Sequence, residues 1–191
     1  MAAFNDALDL RTAVVEHVGQ PGIADVWPRL VSLAESRLNR TLRMRDQMTT
    51  ATVDLTGGTA ALPSDFAEGI GLFHAQGYEY VMQPAQQKRG KYYYISGSNL
   101  VSEDISGELE FQYYATLPTL ADSLTATNWL LTKYPDVYLY AVAFEAAKYV
   151  RDADLAAQTR ELMNDAIAMA KGDDEAARYS RARVRVAGVT P

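Results

Sequence analysis

The sequence predicts an α+β protein, mainly α: a helical bundle with an inserted small antiparallel β-sheet subdomain and an extended C-terminal tail. Three observations predict it. The stretch from Thr127 to Val150, TNWLLTKYPDVYLYAVAFEAAKYV, is the longest apolar run that also carries helix punctuation. After Met48 the spacing of apolar residues changes from the three-or-four of a helix to the two of a strand, and it returns to helical spacing beyond Pro118. From Arg181 the chain again alternates with period two, with no neighbouring strand to pair with. The resulting boundaries are 1–47 for the N-terminal helices, 48–118 for the β insert, 119–181 for the C-terminal helices and 182–191 for the tail, all within one structural domain.

Each element has its own reason. Leu8, Leu10, Val14, Val15 and Val18 predict a first helix, stopped by Gly19 and Pro21. Ile23, Trp27, Leu30, Ala34, Leu38 and Leu42 form the apolar face of a second, with Arg29, Glu35, Ser36, Asn39 and Arg40 outside. Pro28 fits only a first turn, so this helix starts near Asp25 to Trp27. Thr50, Thr52 and Asp54 alternate with Ala51, Val53 and Leu55, and Gly57-Gly58 supplies a tight turn before Thr59 to Leu62, which predicts a hairpin. Ile70, Leu72, Tyr78 to Val81, Tyr92 to Ile95, Leu100-Val101 and Leu109 to Ala115 predict further short strands, about five to seven in all.

The central helix is expected to start near Tyr134, because Pro135 suits a first turn and Asp136 complements the positive end of the helix dipole. Between Val137 and Val150 only Glu145 and Lys148 are charged, so apolar side chains surround nearly the whole helix and it must be covered on all sides. A membrane span would need about 20 apolar residues without such interruption. Asp152 to Asp154 offers an N-cap for the last helix, whose face is Leu155, Thr159, Leu162, Ala166 and Met169. Lys171-Gly172 is expected to stop it, with Asp173-Asp174-Glu175 starting a short further helix to about Arg181.

Composition narrows the function classes. With 191 residues, 48% hydrophobic and 22% charged, the chain has enough apolar material for a sizeable core. The absence of cysteine excludes a disulfide framework and a thiolate metal site, and two histidines are too few for a histidine metal centre. The opening MAAFNDALDL carries acidic residues where a signal peptide needs a basic start, so a cytoplasmic site of synthesis is expected. A formal charge of −6 argues against a surface devoted to phosphate binding. Positive charge is nonetheless clustered, at Arg37, Arg40, Arg43 and Arg45 and again at Arg178, Arg181, Arg183 and Arg185. Twelve tyrosines, Tyr92, Tyr94, Tyr113, Tyr134 and Tyr138 among them, are many for this length, and tyrosine suits subunit interfaces.

No catalytic motif emerges. Gly69-Ile70-Gly71 lacks the third glycine and following helix of a dinucleotide loop, and there is neither a phosphate loop nor a nucleophile elbow. No catalytic residue, metal ligand or cofactor is assigned. His17 and His74 are expected on the surface or in packing roles. Glu145 is either a tuned acid or, more simply, the partner of Lys148 or Arg151 one turn on. Asp173, Asp174 and Glu175 are either a cation site or a helix-start charge cluster. The arginines at 37, 40, 43 and 45 are either a solvated helix end or a cluster that lines a channel or meets an acidic partner, and the tail is either a disordered end or a strand added to another protein's sheet.

The order of these parts resembles a known family. Leu33 to Arg43 (LAESRLNRTLR), the insert entered through Ala61-Leu62-Pro63-Ser64-Asp65-Phe66, Tyr113-Tyr114-Ala115-Thr116-Leu117-Pro118, and Asn128 to Tyr140 (NWLLTKYPDVYLY) look like the head-to-tail adaptor proteins of tailed phages. These are also called head-completion or connector proteins, and related versions occur in gene transfer agents; the likeness runs over roughly residues 23–170 and is most specific in the last segment. It implies a helical bundle with a β insert, assembled as a homo-oligomeric ring, usually of twelve subunits, in the neck of the virion. Such a ring sits beneath the portal protein, extends a channel through which packaged DNA passes non-specifically, and docks a tail or nozzle/stopper protein, with no membrane involved. By the same resemblance Arg181, Arg183, Val184, Arg185 and Val186 are portal-binding. Arg37, Arg40, Arg43 and Arg45 line the DNA channel or a subunit interface, and Tyr92, Tyr94, Tyr113, Tyr134 and Tyr138 belong to subunit interfaces. Two rivals come from other classes: a monomeric small-molecule or carbohydrate binding module using the Tyr-rich sheet, and an enzyme using Glu145 with a neighbouring carboxylate.

Overall fold

The computed structural model describes residues 3–74, 76–83 and 91–179. The chain divides into two compact units, one built from the chain up to Arg45 and from Pro118 onward, the other from Asp46–Leu117.

The first unit is helical. In α1 (Ala7–Val18) the Asp6 carboxylate accepts the N–H groups of Leu8 and Asp9 at 3.0 Å, and Gly19, at φ 69°, closes the helix with its N–H on the Val15 carbonyl. A 3-10 turn over Pro21–Val26 leads into α2 (Trp27–Thr41), with Pro28 in the first turn as expected. A short α3 (Trp129–Lys133), which the apolar run concealed, is capped by Asn128, whose side chain accepts from the N–H of Leu131. Then α4 (Pro135–Tyr149) buries nine of its fifteen residues, which makes it the core of this unit, and α1, α2, α3 and α5 all pack on it.

Helix α5 (Ala153–Tyr179) departs from expectation. Asp152 caps it through the N–H of Leu155, but it runs unbroken through Lys171-Gly172. A glycine costs about 1 kcal/mol in a helix interior, and Asp174, two residues on, offsets this by anchoring the next turn inward through two ion pairs.

The second unit corrects the predicted fold class. A helical bundle with a small inserted antiparallel sheet was expected; the strands instead form one seven-stranded, nearly closed, barrel-like sheet with its own core. Its strands are β1 (Met48–Asp54), β2 (Thr59–Ala61), β3 (Phe66–Phe73), β4 (Glu79–Met82), β5 (Tyr92–Ser96), β6 (Asn99–Val101) and β7 (Glu108–Ala115), in the order β1-β7-β3-β4-β5-β6-β2. The predicted extended tail lies outside the described residues.

Two further differences follow from the pairing. The turn at Gly57-Gly58 forms, with the Gly58 N–H on the Leu55 carbonyl, but no hairpin ladder does: β1 pairs with β7 and β2 with β6. Gly58 sits at φ 73° with the Ser102 carbonyl 3.0 Å from where a Cβ would stand, so any side chain there would be strained. The sheet is also not wholly antiparallel, because β4 and β5 run parallel. Inside it Val53, Leu72, Tyr80, Tyr93, Leu100, Phe111 and Tyr113 are buried together, and closing the sheet is what lets short strands cover so many aromatic side chains.

Charge is divided unequally. Residues 46–117 contain nine Asp and Glu against three Lys and Arg, a net −6 that is the charge of the whole chain; the remainder carries fifteen of each sign.

Candidate functional site

The arginine-rich end of α2 is the candidate site, and each of its four arginines donates to a group of the helical unit itself. Arg37 donates from Nε and Nη2 to Glu145 Oε1 at 3.1 and 2.8 Å, while Lys148 Nζ reaches Glu145 Oε2 at 2.6 Å. The Phe144 ring lies under both cations, 4.8 Å from the Arg37 guanidinium and 5.2 Å from the Lys148 ammonium. Glu145 itself is buried. The pairing with Lys148 one turn on is therefore present and Arg37 joins it as a second cation, whereas Arg151 makes no ion pair with Glu145.

The other three arginines differ from one another. Arg40 is exposed and donates to the carbonyl of Ser36 on its own helix. Arg43 closes the end of α2 by donating to the carbonyls of Asn39 and Leu42. Arg45 binds Asp174 from Nε at 2.9 Å and from its backbone N–H, and Arg178 reaches the other oxygen of the same carboxylate at 2.9 Å. Asp174 is buried and its place is structural. Among the described residues no cluster of three or more His, Asp or Glu side chains could hold a metal ion.

A second buried carboxylate was missed by sequence reasoning. Glu35, expected on the outer face of α2, is buried: it accepts from Thr119 Oγ1, the Leu120 N–H and the Tyr138 hydroxyl, each at 2.7 Å. Asn128 donates to Tyr138 Oη at 3.1 Å and to the Pro118 carbonyl at 2.7 Å. Burial, reinforced by the charge of Glu35, pushes the Tyr138 hydroxyl far above its ordinary pKa, so Tyr138 serves as a fixed donor. The signal lay in Val31, Glu35 and Leu38, which share one helical face.

The predicted interface tyrosines separate in the same way. Tyr92, Tyr113 and Tyr138 are buried within the chain, and Tyr94 and Tyr134 are half-buried. Tyr113 donates to Asp65 at 2.9 Å. Burial raises its pKa to about 12, with the Asp65 contact adding to it, and burial likewise raises Tyr80 and Tyr93 to about 12. Of the histidines, His17 meets Tyr140 edge-on and His74 stacks on Tyr78. Arg181, Arg183, Val184, Arg185 and Val186 lie outside the described residues.

Fold and site together define a scaffold: two compact units whose buried polar groups join one element to another. Residues 5–187 match the family model of the SU10 adaptor protein, and the chain belongs to that family, which makes it a phage adaptor-type protein and a virion component. Among curated proteins none matches the chain. The family agrees with the resemblance to phage adaptors, and it implies phage structural partners of the portal and tail kind.

Proposed function

We propose that the chain is a non-enzymatic head-to-tail adaptor that forms a ring beneath the portal in the virion neck, extends the DNA channel and docks the tail. The observation that carries this reading is the family match over residues 5–187, which takes in both units rather than one. The chemistry of the two units supports it. Glu145, the carboxylate that an enzymatic role would use, is held by two cations, and the two described clefts, lined by Arg11, Trp27 and Leu124 in one and by Phe144, Ala156 and Arg160 in the other, contain no sheet tyrosine that a ligand-binding module would use. A net −6 sheet unit repels phosphate, which suits a protein past which DNA moves without being gripped.

In this proposal Arg40 is the arginine of its cluster free to meet DNA or a neighbour, Tyr94 and Tyr134 contribute to subunit contacts, and Arg181, Arg183, Val184, Arg185 and Val186 engage the portal. Deleting residues 181–191 is the test. The shortened chain should keep its helical signal and melting temperature but fail to co-sediment with portal rings and be missing from particles. A shortened chain that still joins the portal would remove the tail from the mechanism, and a full-length chain absent from virions would end the adaptor reading altogether.

A further inference from the structure

The sheet unit's charge has a definite location. Across the β1–β7 ladder Asp54 stands opposite Glu108 and Thr52 opposite Glu110; Glu110 stands opposite Phe73 on β3, and Phe73 opposite Glu79 on β4. Residues opposite one another share a face, so Asp54, Glu79, Glu108 and Glu110, all exposed, form one acidic surface around a half-buried Phe73. No Lys or Arg occurs in β1, β3, β4 or β7. Like charges directly opposite cost stability in the isolated sheet. Asp54 stays ionised nevertheless, because the hydroxyl and N–H of Thr56 hold its pKa below the usual value.

The helical unit offers a surface of opposite character. An open cleft of about 280 Å³ beside the start of α5 is lined by Phe144, Ala153, Ala156, Ala157 and Arg160. Arg37 and Lys148 lie against the same Phe144 ring and share the single carboxylate of Glu145, which leaves excess positive charge there. Arg160 has no ion-pair partner among the described residues. The cleft therefore combines an aromatic wall, small side chains that permit close approach, and a cationic rim.

We infer that the acidic sheet face of one copy, with Phe73 at its middle, seats in the Phe144 cleft of a second copy. The inference rests on the adaptor reading, in which copies of the chain meet, and names the surfaces by which they do so. The two surfaces are different, so the contact is heterologous: every copy offers one of each, and repetition closes a ring or extends a chain.

The chain lacks cysteine, which allows a clean test. Full-length protein carrying both Glu110→Cys and Arg160→Cys, concentrated and oxidised, should give a ladder of linked copies, whereas either single variant should stop at dimers. Separately, Glu108→Arg with Glu110→Arg, or Arg160→Glu alone, should weaken self-association in sedimentation by about tenfold or more, and an equimolar mixture of the two should restore it. No ladder, or no restoration on mixing, overturns the inference. So does saturable binding of duplex DNA that Arg160→Glu abolishes without any linkage between copies. Particle content separates the two levels: a chain that enters virions without linking refutes this contact alone, and a chain absent from virions refutes the adaptor reading.

Discussion

The sequence of the helical unit carries fifteen cations and fifteen carboxylates, and the buried carboxylates Glu145 and Asp174 each hold two cations from other parts of that unit. In the sheet unit the described carboxylates of β1, β4 and β7 stand on the surface without a cation on those strands, and the buried polar side chains, Gln47, Ser102 and the buried tyrosines, are uncharged. Charge thus joins elements in one region and is presented outward in the other. A sheet can do this because its backbone ladder and apolar interior already fix the strands, whereas helices lack hydrogen bonds between neighbours and draw on side chains to fix how they pack.

The sharpest way to break the comparison is alkali. Tyr80, Tyr93 and Tyr113 have folded-state values near 12 against about 10 when unfolded. Raised values favour the neutral form in the folded state, so their contribution is fully present below pH 10 and is lost as pH rises from there through 12. The sheet unit should unfold in that window, with tyrosinate absorbance rising cooperatively with loss of strand signal. Gradual ionisation with the fold intact would show that the hydroxyls are not sealed in. Next in size, Phe111→Ala should cost about 4 kcal/mol by opening a cavity at the sheet's centre, read as an earlier urea transition of strand signal.

The corresponding cut in the helical unit is Glu35→Ala. It strands the buried Tyr138 hydroxyl proton and the Leu120 N–H and should cost about 3 kcal/mol, read from helical ellipticity in urea. Asp174→Asn should cost less, about 1 kcal/mol, because Arg45 and Arg178 are partly exposed and their pairing is screened by solvent. High salt should shrink that difference further. Smallest of all, Arg40→Ala should stay within about 0.5 kcal/mol of the parent in stability. A larger loss would mean that Arg40 belongs with the internal ties after all.

Much of the helical unit was legible because its signals are local. Pro28 and Pro135 mark first turns, Gly19 a helix end and Asp152 a cap, each acting within one turn of itself. Glu35 was misplaced because its partners lie 84 to 103 residues away. The strands were legible as strands but not as a sheet: Gly57-Gly58 suggests a hairpin, and nothing in β1 announces that β7 is its mate. At the candidate site the arginine cluster was visible, but not that Arg37 would turn to Glu145 and Arg45 to Asp174, since those carboxylates come from distant helices.

The separation of β1 from β2 has a consequence for how the polypeptide matures. The sheet cannot be completed until β7 has been made, yet by Leu117 all seven strands exist. The helical unit, begun earlier, still lacks α4 at that moment, and with it the surface on which α1 and α2 rest. During synthesis the later-started region is thus the first to be whole, while the opening helices wait with their greasy sides uncovered for a helix still inside the ribosome.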